Sequence, residues 1–399
     1  MVGMSDNAQH TKRRTMLKAT GGALAVGGLA SLGGAESTDV VEINVGFTGE
    51  TGRGAALSAA DDVVREFAFD AVTIRAAPQA ARALENNPNV RYVEENGTMY
   101  ALGQTQPWGV DRVDAEVAHA NGETGSGADI AIIDTGIDSD HPDLQANVGT
   151  GRAFVSCETK GGCRFGAKPA NNTCYNDWDV DNDHGTHCAG IADAANNSQG
   201  VVGVSTQATL HAVKVLDKCG SGSFSDIAAG VEYVADQGWD VGSMSLGGSS
   251  GSQTLRDACQ YAVNNGVFLV AAAGNSGPCT DCVGYPAAYD SVMAVSSTAS
   301  DDSLSDFSSQ GPEVDIAAPG TDIYSSVADN GGYATFSGTS MACPHVAGTA
   351  GQLMANGATN TEARDTLASS AEDIGLGSNE SGAGLLDAAA ALGLDSADN

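Results

Sequence analysis

From Gly103 onward, short apolar runs alternate with amphipathic helical patterns for almost 300 residues, and that alternation restricts the chain more than any other feature. Buried-strand candidates are residues 130–133, 210–216, 267–273 and 292–295, and helix candidates are residues 225–237, 254–265 and the stretch after Ser340. Thr359-Asn360-Thr361-Glu362 has the capping-box spacing, so a further helix starts there. Runs that stay apolar at successive positions suit strands covered on both faces. The expected fold class is therefore α/β, a mainly parallel sheet with helices on both faces. In such a sheet, chemistry gathers outside the carboxyl ends of the strands.

The preceding part divides in two. Residues 1–36 read as an export signal: Lys12-Arg13-Arg14-Thr15-Met16-Leu17-Lys18 is followed by a Gly/Ala-rich apolar stretch over residues 19–32, too short to span a bilayer. The paired arginines match the twin-arginine export pattern, with Lys12 and Met16 replacing its usual Ser or Thr and Phe; a general secretory signal with a chance Arg pair is the other reading. Residues 37–102 carry a small α+β pattern of their own, with strands over 40–47, 71–76 and 90–93 and helices over 56–67 and 78–86. A segment of that size with one thin apolar face is marginal as a free domain and calls for a partner surface.

Against 50 Asp and Glu stand 18 Lys and Arg, a formal net charge of −32. Residues 1–36 hold four bases (Lys12, Arg13, Arg14, Lys18) and two acids (Asp6, Glu36), so the remainder carries 14 bases against 48 acids, a net −34. A field of that sign repels nucleic acid and anionic lipid and excludes unaided binding to either. Lysine occurs only at Lys12, Lys18, Lys160, Lys168, Lys214 and Lys218. Few charges, nearly all acidic, suit a surface kept soluble where high salt screens self-repulsion, so a halophilic source is expected. No apolar run reaches eighteen residues, which argues against a membrane role after export.

Nine cysteines leave at least one thiol outside any intramolecular disulfide. Cys157, Cys163 and Cys174 lie in a Gly- and polar-rich stretch, and Cys279 and Cys282 share a short loop. Such clusters are loop staples or a metal site, and export favours disulfides. Cys188 and Cys343 are expected to be buried free thiols.

Three segments bear chemistry. Asp134 ends an apolar run and precedes Thr135-Gly136, which places a carboxylate at a strand end among backbone donors; alone, such an Asp is commonly a turn or cap residue. His184-Gly185-Thr186-His187-Cys188-Ala189-Gly190 is a small-residue helix start with His184 at its mouth, and it lacks the Glu of the zinc-protease helix. Gly338-Thr339-Ser340-Met341-Ala342-Cys343-Pro344-His345 puts Ser340 at a helix N-terminus, with Pro344 expected in the first turn. An isolated Ser there is usually a cap.

Together the three segments resemble the signature blocks of the subtilisin-like serine proteases (subtilases, peptidase S8), the haloarchaeal halolysins among them, in that family's chain order Asp, His, Ser. The resemblance spans residues 103–399, including Gly382-Ala383-Gly384-Leu385-Leu386-Asp387. Cys188 looks like the proteinase K branch, and Cys343 stands where many relatives carry Thr. The resemblance implies that Ser340 is the nucleophile, His184 its base and Asp134 the group that holds the imidazole. It implies an oxyanion hole from Asn275 and the backbone N–H of Ser340. Gly220-Ser221-Gly222 and Ser245-Leu246-Gly247-Gly248 resemble the two edges that clamp an extended peptide. Gly284 matches the base of the first specificity pocket, which implies a large apolar P1 side chain.

Gln104, Asp143 and the loop carrying Ala195, Asn197, Gln199 and Val201 resemble the family's structural calcium site, a plain polar loop being the alternative; no catalytic cofactor is implied. Residues 37–102 are similar to the family's propeptide, an inhibitor and folding chaperone in cis, with the processing junction near Leu102-Gly103. The implied protein is a secreted, extracellular, monomeric and self-processed endopeptidase acting on proteins and peptides. A different-class alternative is an inactive, subtilisin-shaped binding protein, usually marked by a missing triad or oxyanion residue. An α/β-hydrolase esterase is disfavoured because Ser340 is not in a Gly-x-Ser-x-Gly elbow and His precedes Ser.

Overall fold

A computed structural model describes residues 40–96, 104–158, 163, 174–328 and 331–396. The export-signal segment and the Leu102-Gly103 junction lie outside these residues. The chain divides into two compact units, Met1–Tyr100 and Ala101–Asn399.

In the first unit the elements are β1 (Val41–Phe47), α1 (Gly49–Ala59), β2 (Asp62–Phe67), β3 (Ala71–Ala76), α2 (Pro78–Glu85) and β4 (Val90–Glu95). The strands form an antiparallel sheet in the order β2-β3-β1-β4. Ile43, Val45, Val72 and Ile74 bury one face of this sheet with Ala56, Ala81 and Leu84 of the helices. The helix expected over residues 56–67 is corrected here: α1 ends at Ala59 and β2 follows. β2 is an exposed edge strand, so its side chains show no alternating burial, and Val63, Val64 and Phe67 carry β propensity that a helical reading overlooks.

The second unit runs α3 (Trp108–Arg112), α4 (Ala115–Ala120), β5 (Asp129–Asp134), β6 (Arg152–Ala153), α5 (Asp183–Asp193), β7 (Thr209–Lys214), α6 (Phe224–Gln237), β8 (Val241–Met244), α7 (Gln253–Asn264), β9 (Phe268–Ala272), β10 (Met293–Thr298) and β11 (Ile316–Pro319). It continues with the hairpin β12 (Ile323–Val327) and β13 (Gly332–Phe336), then α8 (Thr339–Ala355), α9 (Asn360–Ser370), α10 (Ser378–Ser381) and α11 (Ala388–Ala391). The main sheet has the order β11-β10-β9-β8-β5-β7-β6, and its strand pairs are parallel.

Successive residues of β5 feed opposite cores. Ile130 and Ile132 pack with Cys188, Ala189, Met341 and Val346 of α5 and α8, whereas Ala131 and Ile133 pack with Ile227, Val231 and Leu255 of α6 and α7. Both faces are thus dry, which is why these strands read as unbroken apolar runs. The chain leaves β5 to build β7 on one side and then crosses to β8 on the other, so the carboxyl end of β5 lies at a topological switch point. Asp134 is its last residue.

Thr359 and Glu362 form the expected capping box of α9. Disulfides join Cys157–Cys174, Cys163–Cys219 and Cys279–Cys282, while Cys188, Cys259 and Cys343 are buried free thiols. The clustered cysteines are therefore loop staples rather than metal ligands. Among the described residues no helix is long and apolar enough to cross a membrane.

Candidate active site

Asp134 is fully buried, and its Oδ1 accepts the N–H of Thr135 at 2.7 Å. His184 is the second residue of α5, where the capping Asn182 side chain accepts its backbone N–H at 3.1 Å. The Thr135 hydroxyl clips strand to helix by donating to the Asn182 carbonyl (2.9 Å) and accepting from the Gly185 N–H (2.9 Å). The approach is close enough that a Cβ on Gly185 would collide with the Gly136 carbonyl, so Gly is required there. The result is a His184 Nδ1 placed 2.9 and 3.0 Å from the two Asp134 oxygens. Burial works against the imidazolium, but the charge of Asp134 and its hydrogen bond outweigh it and raise His184 from the ordinary histidine value. His187, one turn on, faces the interior, stacks on Phe336 at 4.4 Å and is pushed down to about 3, chiefly by burial. The two histidines do not form a common site.

Ser340 is the second residue of α8, so its backbone N–H has no acceptor within the helix. Its hydroxyl donates to the Ser245 carbonyl at 3.2 Å. Pro344 lies inside the helix rather than in its first turn, which corrects the sequence expectation. A proline there has no N–H to give the carbonyl of Ser340 four residues back. That carbonyl instead accepts the Ser245 hydroxyl (2.7 Å) and the Cys188 thiol (3.4 Å), which ties Ser340 to the residue after β8 and to α5. Burial lifts the Cys188 thiol well above its usual range, so it stays protonated and unreactive.

Asn275 follows β9. Its Oδ1 accepts both the N–H and the hydroxyl of Thr339, each at 2.9 Å, and the Thr339 oxygen also accepts the Gly274 N–H at 3.1 Å. With the oxygen committed to Thr339, the amide NH2 is turned the other way. A Cβ built on Gly338 would lie 3.4 Å from Asn275 Nδ2 and 3.6 Å from Ser340 N. Two hydrogen-bond donors thus border one notch that Gly338 leaves open. Sequence reasoning found Asn275 but missed Thr339, although it stands next to Ser340.

A cavity of about 530 Å³ opens beside Ser340, walled by Gly247, Gly248, Gly274 and Gly284 with Val283, and bordered by one exposed acid, Asp281. A second, of about 610 Å³, runs from His184 between Gly220-Ser221-Gly222 and Ser245-Leu246-Gly247-Gly248, and Leu216, Phe224, Ile227, Leu255 and Tyr285 give it an apolar lining. The two expected edge segments therefore face each other across a groove.

The residues of the expected calcium loop also converge. Gln104 Nε2 donates to the carbonyls of Ala195 (2.6 Å) and Val201 (2.7 Å), and Gln104 Oε1 accepts from Asn197 N at 3.0 Å. Asn197 Oδ1 accepts from Gln199 N, and the buried Asp143 carboxylate accepts from Val201 N (2.8 Å) and Asn197 Nδ2 (3.3 Å). Among the described residues no basic side chain pairs with Asp143. One carboxylate, two side-chain amides and the carbonyls of Ala195 and Val201 are donors of the hard type that calcium takes, with the carbonyls here occupied by Gln104 Nε2.

Residues 125–388 match the model of the Subtilase family, Peptidase_S8. The chain is 42% identical over 301 residues to subtilisin E of Bacillus subtilis (strain 168), covering 74% of each chain. It is 40% identical over 335 residues to M-protease of Shouchella clausii (strain KSM-K16), covering 83% of this chain and 81% of the relative. A similar match, 40% over 333 residues with 83% and 82% covered, links it to alkaline elastase YaB of a Bacillus species. With its parallel sheet and this site, the chain belongs to the subtilase family of serine endopeptidases, enzymes that hydrolyse peptide bonds.

Proposed function

We propose that this chain is the precursor of a secreted serine endopeptidase in which Ser340 is the nucleophile, His184 the general base and acid, and Asp134 the group that orients and charges the imidazole. The observation that carries the reading is the Asp134–His184 pair on a helix whose Cys188 thiol reaches the Ser340 carbonyl, with Ser340 at a helix start where its N–H shares one open notch with the Asn275 amide. For reaction the Ser340 hydroxyl leaves the Ser245 carbonyl and gives its proton to His184 as Oγ bonds to the scissile carbon; such hydrogen bonds tighten only once substrate is bound. The carbonyl oxygen becomes an oxyanion received by Asn275 Nδ2 and Ser340 N. Collapse breaks the C–N bond, and His184 protonates the departing amine. Water then repeats the sequence, with His184 again as base, and frees the acid.

An extended peptide fits between the two edge segments as an added strand, and the Gly-walled cavity at Gly284 suits a large apolar P1 side chain. Calcium is a structural ion held by Gln104, Asp143, Ala195, Asn197, Gln199 and Val201, where it would clamp the extended segment at Gln104-Thr105 to the loop after α5. Residues 37–102 act as propeptide in cis and are removed autocatalytically near Leu102-Gly103, after export by the signal in residues 1–36. The mature protein, residues 103–399, is a monomer without nucleic-acid or membrane partners, works extracellularly, and is adapted to high salt by its acidic excess, in the manner of halolysins. An inactive binding protein is not favoured, because both donors and the whole triad are present. The reading is tested with precursor carrying Ser340→Ala. It is expected to accumulate uncleaved between the two units and to hydrolyse no peptide anilide, while full processing and turnover in that variant would reject the assignment.

A further inference from the structure

Lys214 is one of six lysines in the chain and is fully buried, in the apolar run of β7. In the parallel register it stands directly opposite Asp134. Its ammonium donates to the carbonyl of Thr135 (2.7 Å), the carbonyl of Leu216 (2.9 Å) and the equally buried carboxylate of Asp181 (2.5 Å). The other Asp181 oxygen accepts the Glu158 N–H at 2.8 Å. These contacts join three chain ends that serve different parts of the reaction. Thr135 follows Asp134, Asp181 precedes the cap of the helix that presents His184, and Leu216 lies at the groove and leads to its Gly220-Ser221-Gly222 edge.

Removing two charges from water is costly, and a buried ion pair is often no better for stability than well-packed apolar residues of like volume. Fold stability alone is therefore a weak reason for this pair. We propose that Lys214 and Asp181 are positioning residues for catalysis: together they fix the separation of Asp134 from His184 and balance the charge felt by the imidazole. The proposal rests on the triad reading given above. The other groups facing this region are Asp217, which with Asp134 and Asp181 acts on Lys214, and Cys188 and His187 beside the triad pair. None of them supplies a second cation there.

The test compares Asp181→Asn, Lys214→Met and the double variant Lys214→Met/Asp181→Leu, each made as the full chain. Variants that fail to self-process are matured by immobilised wild-type enzyme, which is then removed. Turnover, KM, thermal midpoint and the acid limb of kcat/KM are measured with a chromogenic peptide, beside an inert Ser340→Ala control. Asp181→Asn leaves the lysine cation uncompensated, so the acid limb should move down by roughly half a pH unit; Lys214→Met should move it up. The double variant should keep its thermal midpoint within a few degrees of wild type, yet lose about tenfold or more in kcat with KM changed by less than about threefold. If Lys214→Met does not fold, the other two variants decide. Wild-type kcat in the double variant together with an unmoved acid limb in Asp181→Asn would overturn the proposal alone. Hydrolysis surviving in Ser340→Ala would overturn the triad reading and the proposal with it.

Discussion

The Thr339 hydroxyl both orients the Asn275 amide and satisfies the Gly274 N–H, at 2.9 and 3.1 Å. Thr339→Val keeps the shape of this fully buried side chain and the backbone bond from Thr339 N to Asn275 Oδ1, but deletes both hydroxyl bonds. Each such bond contributes about 0.5–1.5 kcal/mol net. The amide then has one partner rather than two to keep its NH2 toward the notch, and the Gly274 N–H loses its acceptor. Because the oxyanion exists only in the transition state, the loss should fall on kcat. About 1–2 kcal/mol corresponds to a fall of roughly 5- to 30-fold, with KM within about twofold. The ceiling is the loss of the donor itself, ~10²–10³ in turnover, a magnitude carried over from subtilisin.

The assay is steady-state hydrolysis of a chromogenic peptide, with active-site titration to correct for inactive protein. Thr339→Ser, which restores the hydroxyl, should recover most of the loss. Unchanged kcat in Thr339→Val, or a loss carried by KM alone, would refute the orienting role.

Other perturbations have directions set by the same geometry. Asp134→Asn removes the charge that raises His184 and leaves the burial that lowers it, so the acid limb of kcat/KM should move to lower pH while kcat falls by about 10⁴; an unmoved limb would contradict the assignment. Chelating calcium at constant salt should shorten the half-life of thermal inactivation, since an ion that binds only the native state stabilises it by mass action, and Asp143→Asn should abolish the difference. Dialysis to dilute buffer should inactivate the mature enzyme, faster without calcium, because the Debye length grows from ~3 Å at 1 M salt to ~10 Å at 0.1 M and exposes the net −29 of residues 103–399, 9 bases against 38 acids, to its own repulsion. Salts of strongly hydrated anions should protect better at equal ionic strength, and full activity after days in dilute, calcium-free buffer would refute the halophilic reading.

What the sequence revealed, and what it hid, follows from where the information lies. Asp134, His184 and Ser340 sit in contiguous motifs whose Gly136 and Gly185 let backbones approach closely, so the residues of the candidate site and the Asp134–His184 pair were legible. The parallel sheet was legible because its strands are dry on both faces. β8, whose run Val241–Met244 includes a Gly and a Ser, has no apolar signature of its own and is buried by its neighbours. β2 was misread because an exposed edge strand lacks the alternation on which a strand reading depends. The role of Lys214 within an apolar run has no local signature, since its carboxylate partner Asp181 is 33 residues earlier and only the fold brings them together. The position of Pro344 beyond the first turn is not legible locally, because nothing in its local sequence says that the carbonyl it frees has other donors waiting. The cysteine pairs are likewise a property of the fold, not of spacing: Cys163 passes over nearby Cys157 and Cys174 to reach Cys219.

The central claim is that Ser340 is a nucleophile activated by His184, and covalent labelling measures it most directly. Mature wild-type protein treated with a fluorophosphonate should gain one adduct, which peptide mass spectrometry places on Ser340, at a rate that falls by several orders of magnitude in His184→Ala and to zero in Ser340→Ala. An adduct on another residue, or equal labelling rates in wild type and His184→Ala, would contradict the account.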